Sequence, residues 1–207
     1  MARIPYPDRA ELPVDITAWL RAIPQPGPVG MLAHSAPVVR AWMGLIQALF
    51  GSLALSPRTR EIVTLATAVL VESEYELVQH LPLSEAAGVD EATRAVLLRR
   101  EFGSALLSER DRATARFVAA VIASPSVPDE IFEPVRSLYN DREIVEITQV
   151  VGFYWSLGRF LTVLDIEIGI PEGTANFDAV VKLGQVNAGS VATPVTAEGT
   201  RPDSADR

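Results

Sequence analysis

The stretch SPRTREIVTLATAVLVESEYELVQHLPLSEAAG, residues 56–88, contains two consecutive helix starts. Ser56 followed by Pro57 is typical of an N-cap and a first helical residue, and an apolar run continues that helix. Ser73 and Glu76 have the spacing of a capping box, in which the serine oxygen and the glutamate each accept from a backbone amide of the first turn. The stretch therefore predicts two helices, with the second beginning at Ser73 and ending near Gly88.

The same stretch gathers most of the residues suited to acid–base chemistry, in a chain that has only two histidines. Glu61 is a carboxylate inside an otherwise apolar helix, so it must find a partner or change its pKa. Glu76 and His80 are four residues apart and share one face of the second helix. We therefore expect Glu61 and His80 to meet on neighbouring helices. The other histidine, His34, is expected to serve the start of a helix.

The order Glu61, Ser-Glu-Tyr-Glu over residues 73–76, then His80 resembles the signature of the carboxymuconolactone decarboxylase family, within the AhpD-like alkylhydroperoxidase superfamily. The resemblance covers roughly residues 34–168. Redox members of that superfamily carry cysteines where this chain has Ser73 and Glu76. Because the chain contains no cysteine, it cannot use a thiolate against a peroxide. It is similar to the cysteine-free decarboxylase branch, and thiol peroxidase activity is not expected.

The resemblance implies a cofactor-independent carbon–carbon lyase that acts on a small carboxylated lactone or a related cyclic acid by general acid–base chemistry. On this hypothesis His80 donates the proton or stabilises the oxyanion, Glu61 orients His80, and Tyr75 donates a hydrogen bond to the substrate. The residues expected in the site are Glu61, His80 and Tyr75 as catalytic groups and Arg60, Ser73 and Glu76 as substrate-binding groups. Arg60 has an alternative interpretation as an ion pair with Glu61 at the surface.

Two other functions fit the same residues. A biosynthetic isomerase, dehydratase or cyclase could use the Glu61 and His80 pair on a different substrate, because acid–base residues do not encode which bond breaks. A non-catalytic helical oligomer that binds a small ligand is the third hypothesis. No cofactor and no metal are predicted, since two histidines 46 positions apart form no ligand motif and the chain has no phosphate-binding or dinucleotide-binding glycine loop.

Composition limits the class of protein and of partner. With 207 residues, 48% of them hydrophobic, the chain can bury the core of one domain, predicted over residues 1–183. The net charge of −8 and the absence of a Lys/Arg cluster argue against a nucleic-acid partner. The sequence has no run of eighteen apolar residues and no signal-like N-terminus, so we expect no membrane partner and a cytoplasmic location.

The remaining pattern is helical, without sustained alternation, and predicts an all-α, AhpD-like bundle. Residues 1–32, rich in proline, are predicted to form an extended arm with one short helix over residues 16–22. Further helices are expected over residues 37–50, 90–100, 109–123 with Ser108 as N-cap, 129–139 and 140–167, where Asn140 and Glu143 have the spacing of a capping box. The tail, residues 184–207, is predicted to be disordered and flexible from its composition.

Two features of the last predicted helix suggest duplication and assembly. Arg60-Glu61-Ile62-Val63 recurs as Arg142-Glu143-Ile144-Val145, which indicates an internal duplication, with chance similarity between two helix openings as the alternative. Apolar residues occupy nearly every face of the helix over residues 140–167, so we expect it to be buried all round, within its domain or against another chain. The family resemblance implies trimers or hexamers, and a homo-oligomer is predicted.

Overall fold

The computed structural model of the chain describes residues 1–23 and 27–169, which form nine helices and no strand. The predicted all-α class is confirmed. The helices are α1 Val14–Ala22, α2 Gly27–Leu32, α3 Ala36–Gly51, α4 Pro57–Val71, α5 Glu74–Ala86, α6 Glu91–Leu98, α7 Glu109–Ala123, α8 Asp129–Leu138 and α9 Asp141–Leu164. The predicted tail, residues 184–207, lies outside the described residues.

Four of the helix starts follow from N-cap residues that the sequence predicts. Ser56, Ser73, Ser108 and Asn140 precede α4, α5, α7 and α9, and each side chain accepts a hydrogen bond from the amide three residues later. Such a bond satisfies one of the backbone donors that a helix N-terminus leaves without an intrahelical partner. Local chemistry therefore sets these four boundaries.

Helix α4 lies at the centre of the molecule, where it packs against α5, α6, α7 and α9. Its buried threonines keep their polar groups satisfied within the helix: Thr64 donates to the carbonyl of Arg60 at 3.0 Å, and Thr67 donates to the carbonyl of Val63 at 2.8 Å. A buried hydroxyl that is hydrogen-bonded avoids most of its desolvation cost. The central position of α4 places Glu61 in the core, with no exposed surface.

Helix α9 differs from its prediction in length and in burial. It ends at Leu164 rather than near residue 167, because Asp165 adopts the left-handed conformation with φ 51°. It packs on α4, but Val145, Trp155 and Val163 are 60%, 46% and 57% exposed. Of the two predicted alternatives, burial of the whole helix within its own domain is therefore excluded, and burial against another chain stays a prediction.

The N-terminal region contains two helices, α1 and α2, where the sequence predicted one in an extended arm. The segment before α1 is fastened to the body: the Arg3 amide donates to the Leu164 carbonyl at 2.8 Å. His34 Nε2 lies 2.8 Å from the carbonyl oxygen of Pro5. His34 therefore holds this segment in place instead of capping the following helix, whose N-cap is Ser35.

The repeated Arg-Glu pairs occupy different positions in their helices. Arg60 and Glu61 are the fourth and fifth residues of α4, whereas Arg142 and Glu143 are the second and third of α9. Glu143 completes a capping box with Asn140, and Arg142 Nε donates to Glu146 Oε1 at 2.7 Å. The second copy thus serves the start of α9.

Within the described part of the chain, no helix is both long enough and apolar enough to span a membrane.

Candidate active site

The site is built around a buried contact between α4 and α5. His80 Nδ1 lies 2.8 Å from Glu61 Oε2, and neither side chain has exposed surface. A carboxylate can only accept, so Nδ1 carries the proton and donates it. The two residues are 19 positions apart, and the turn between α4 and α5 brings them together as the sequence predicts.

Arg60 is the second partner of Glu61. Its Nε and Nη2 atoms lie 3.2 and 3.1 Å from Glu61 Oε1, and its guanidinium stacks 4.3 Å from the centre of the Phe50 ring. Nη1 donates to the carbonyl of Leu49 at 3.5 Å. The Arg60 side chain is only 13% exposed. Its donors therefore hold Glu61 and the end of α3, and the predicted contact of Arg60 with substrate stays a prediction.

Glu76 lies on the opposite side of the imidazole from Glu61. Its Oε2 atom is 3.4 Å from His80 Nε2, and Glu76 is 2% exposed. Ser73 Oγ accepts from the Glu76 amide at 3.5 Å, which is half of the predicted capping box. The other half does not form, because the Ser73 amide donates to the carbonyl of Ala68 at 3.0 Å. The Glu76 carboxylate is directed to His80 instead.

Burial and charge act in opposite directions on this cluster. Burial is the largest influence on His80 and lowers its pKa, but Glu61 and Glu76 together outweigh burial and raise the pKa of His80 to about 9. Burial is also the largest influence on Glu61 and raises its pKa, whereas His80 and Arg60 bring the pKa below the ordinary value of 4.5. At neutral pH the structure therefore favours an imidazolium beside the ionised Glu61.

Tyr154 is a member of the cluster that the sequence did not predict. Its ring meets the imidazole of His80 edge-on, with centroids 4.9 Å apart and an interplanar angle of 85°. Burial, followed by the charges of Glu61 and Glu76, holds the pKa of the Tyr154 hydroxyl well above 10. The hydroxyl therefore stays protonated. In the sequence, Tyr154 reads as one more apolar position of a long helix, and only the packing of α9 against α5 reveals its place.

Tyr75, the tyrosine predicted to be catalytic, faces the N-terminal region. A Cβ atom added at Gly27 would lie 2.9 Å from the Tyr75 hydroxyl. Tyr75 lines two cavities, one of about 440 Å³ that Tyr6 and Arg9 also line and one of about 280 Å³ that Ser73 also lines. Burial is the main cause that raises the pKa of Tyr75. The structure thus associates Tyr75 with these cavities, and among the described residues the tyrosine ring in contact with His80 belongs to Tyr154.

A close approach of α9 fixes the turn that joins the two site helices. A Cβ atom added at Gly158 would lie 2.8 Å from Val71 Cγ2 and 3.1 Å from Ser73 Cβ. Only glycine lets the backbones come this near without displacing a side chain. Gly158 therefore sets how α9, and with it Tyr154, packs against the Glu61 and His80 pair.

Basic and acidic side chains alternate along a row of four residues: Arg60, Glu61, His80 and Glu76. Each group has a neighbour of the opposite kind within 3.4 Å, so the groups of the row can stabilise one another inside the core. Both imidazole nitrogens face carboxylates. Across residues 1–23 and 27–169, no cluster of three or more His, Cys, Asp and Glu side chains is arranged to hold a metal ion.

Known structures with this arrangement of helices include peroxidase-related proteins and a debrominase. The alkylhydroperoxidase AhpD core protein of Ralstonia eutropha JMP134 is 21% identical, with a TM-score of 0.67 over 87% of this chain and 97% of that one. A peroxidase-related protein from Silicibacter is 22% identical, with a TM-score of 0.64 over 80% and 87%. The debrominase Bmp8, solved with 2,3,4-tribromopyrrole, is 12% identical, with a TM-score of 0.66 over 88% and 100%. At these identities the likeness concerns the fold.

By sequence, residues 36–120 match the Carboxymuconolactone decarboxylase family. A comparison with curated proteins finds none that is similar to this chain. The matched segment runs from α3 into α7 and includes Arg60, Glu61, Ser73, Glu76 and His80. The predicted resemblance is thereby confirmed: the chain has the AhpD-like fold, and its site helices lie in the segment that matches the Carboxymuconolactone decarboxylase family.

Proposed function

We propose that this protein is a cofactor-independent lyase that decarboxylates a small carboxylated lactone or a related cyclic acid. The observation that carries the proposal is the buried contact of 2.8 Å between Glu61 and His80, in a chain that has no cysteine for thiol chemistry. The family match to residues 36–120 supports decarboxylation as the reaction class.

The reaction needs a proton and a place for two electrons. When the carbon–carbon bond to the carboxylate breaks, CO₂ leaves and the electron pair is delocalised toward the lactone carbonyl. A proton must then be delivered to carbon. His80 is suited to supply it, because its raised pKa of about 9 keeps the imidazole protonated at neutral pH. Glu61 fixes the ring orientation and balances its charge.

The direct experiment measures CO₂ release from a carboxymuconolactone by the purified protein. His80→Ala and Glu61→Gln should each lower the rate by ~10²-fold or more, the range expected for a positioned acid–base group. The double variant should be little worse than the poorer single one, because the two residues act as a unit. Glu74→Gln is the matched control, since Glu74 is exposed on the first turn of the same helix. CO₂ release unaffected by His80→Ala would contradict the proposal.

The assay also separates the alternative functions. A change in the ultraviolet spectrum of the lactone without CO₂ release would favour an isomerase, dehydratase or cyclase that uses the same pair. Binding without any chemical change would favour a ligand-binding helical protein. The debrominase among the similar folds supports small cyclic molecules as ligands in general, although its identity of 12% carries no specific substrate to this chain.

Assembly and location are further parts of the proposal. The exposed Val145, Trp155 and Val163 on α9 support a homo-oligomer in which this face is covered by a second copy. Light scattering that finds a stable monomer at micromolar concentration would contradict it. A trimer or hexamer, and a cytoplasmic location, remain expectations from the family resemblance and the sequence.

A further inference from the structure

The route by which a proton leaves His80 is restricted by its surroundings. The imidazole has no exposed surface, and its Nδ1 atom is held by Glu61 at 2.8 Å. The Nε2 atom faces Glu76, whose Oε2 lies 3.4 Å away. A substrate cannot approach Nδ1 without displacing Glu61. On the Nε2 side, Glu76 is a neighbouring carboxylate, within residues 1–23 and 27–169, that can exchange a proton with the ring.

The second oxygen of Glu76 could accept a further hydrogen bond. Oε1 is buried and has no hydrogen-bond partner among the described residues. An unsatisfied buried carboxylate oxygen is costly, and such atoms are uncommon unless a function retains them. The usual structural use of Glu76 would be to close a capping box, but the Ser73 amide is already bound to Ala68. The carboxylate is therefore held in a position that helix capping does not explain.

We propose that Glu76 is the catalytic residue that touches the substrate and delivers the proton, that His80 shares this proton with Glu76, and that Glu61 and Arg60 hold His80 in position. This inference rests on the proposed acid–base function and changes the assignment within it. His80 and Glu61 become positioning residues, while Glu76, at the position where redox members of the superfamily carry a cysteine, becomes the group that reacts.

The step balances with one proton shared between two groups. Glu76 and His80 together hold it either on the imidazole, beside a carboxylate, or on the carboxyl, beside a neutral imidazole. The bond between the ring carbon and the departing carboxylate breaks and CO₂ leaves. The electron pair, delocalised toward the lactone carbonyl, forms a new carbon–hydrogen bond with the proton of Glu76. This leaves a carboxylate beside neutral His80, and solvent returns one proton to the pair before the next turnover.

The charged and titratable groups around Glu76 come from three helices. His80 and Tyr75 lie on its own helix α5, Glu61 on α4 and Tyr154 on α9. Tyr154 contributes a protonated hydroxyl, so the imidazole is the cationic group in direct contact with Glu76. Removal of the Glu76 carboxylate should therefore be detected at His80 first.

The test combines a rate with a titration. Glu76→Gln keeps the shape of the side chain but removes the transferable proton, so CO₂ release from a carboxymuconolactone should fall by ~10²-fold or more. Glu76→Asp should keep part of the activity, and the exposed Glu74→Gln should keep all of it. NMR titration of the ring provides the second readout, because the chain has only two histidines and His34→Gln assigns the other signal. Glu76→Gln should lower the pKa of His80.

The outcomes separate this inference from the function beneath it. If the wild type releases CO₂ and folded Glu76→Gln does so equally fast, Glu76 is not the proton donor. If the wild type releases none, the decarboxylase proposal fails and the titration decides alone. A His80 pKa that is unchanged in Glu76→Gln would then overturn the inference. A lowered pKa would show that the Glu76 carboxylate is coupled to His80, and the inference would then require that Glu76→Gln abolish whichever acid–base reaction the wild type catalyses. Should Glu76→Gln fail to fold, Glu76→Asp provides both readouts.

Discussion

Replacement of Glu61 by Gln tests the electrostatics of the buried row directly. The substitution keeps the size of the side chain but removes the charge that faces both His80 and Arg60. Burial then becomes the dominant influence on the imidazole, and the nearby Arg60 loses its carboxylate, so the pKa of His80 should fall. Breaking one side of a buried ion pair costs about 3–5 kcal/mol, because the remaining charge is left without compensation.

The pH dependence of the free energy of unfolding gives the size of the His80 contribution that Glu61→Gln should remove. The folded pKa of His80 is about 9 against 6.5 in an unfolded chain, and one pKa unit is worth about 1.4 kcal/mol, so the protonated ring contributes about 3 kcal/mol. Because the folded pKa is raised, this stability is fully present below pH 6.5 and is lost as the pH rises through 9. Glu61 has a lowered pKa, so its contribution is present above pH 4.5 and is lost on acidification.

Urea unfolding at a series of pH values measures both effects. The free energy of unfolding of the wild type should fall by about 3 kcal/mol between pH 6.5 and the alkaline side of pH 9. Glu61→Gln should be less stable at pH 6.5 and should show a much flatter alkaline limb, whereas the exposed Glu74→Gln should follow the wild type. Equal alkaline slopes for Glu61→Gln and the wild type would refute the coupling between Glu61 and His80.

Three other predictions concern the packing of α9, the hydrogen bonds that Glu146 accepts, and the two positions that hold cysteine in redox members of the superfamily. Gly158→Ala should lower the free energy of unfolding by about 1–3 kcal/mol in urea titrations, because its Cβ would lie 2.8 Å from the buried Val71; no loss would mean that α9 can move away. Glu146→Ala should cost about 1–3 kcal/mol by the same measurement, since Glu146 Oε2 accepts from two loop amides at 2.8 and 3.0 Å; a neutral effect would mean that water replaces it. The double variant Ser73→Cys, Glu76→Cys should have a thiol beside His80 and should consume peroxide in a peroxidase assay. The wild type, which has no cysteine, should consume none through thiols. An inert double variant would contradict the match between these two positions and the cysteines of the redox members of the superfamily.

Much of the fold could be predicted from the sequence because local chemistry marks the helix starts. Ser108 caps α7 at the predicted residue, and Asn140 forms the complete box that its spacing indicates. Helix α2 is not predicted by the sequence, because it is short and begins at Gly27 in a proline-rich segment without an N-cap pattern. The end of α9 was placed too late because the left-handed Asp165 has no sequence signal as strong as a glycine.

The contact between Glu61 and His80 could be predicted from the sequence. The place of Tyr154 could not, because it depends on tertiary packing. A carboxylate in an apolar helix needs a partner, and Glu61 finds His80 on the next helix. Tyr154 enters the site only because Gly158 lets α9 approach the turn between α4 and α5. A sequence pattern shows that such a helix is apolar, but it does not show which of its rings meets the imidazole.

The spacing of a capping box occurs twice in this chain, but only one of the two forms the complete box. The difference shows which interaction competes with the second hydrogen bond of the box. Asn140 and Glu143 form a capping box at the exposed start of α9, where Glu143 has no stronger partner. Ser73 and Glu76 have the same spacing, but Glu76 is buried and His80 follows on its own face one turn later. In a site without solvent, an imidazole with a pKa of about 9 attracts a carboxylate more strongly than a backbone amide does. A capping motif that leaves its second bond unmade, four residues before a buried histidine, therefore indicates a carboxylate that faces the imidazole, which is the position that our proposal for Glu76 requires.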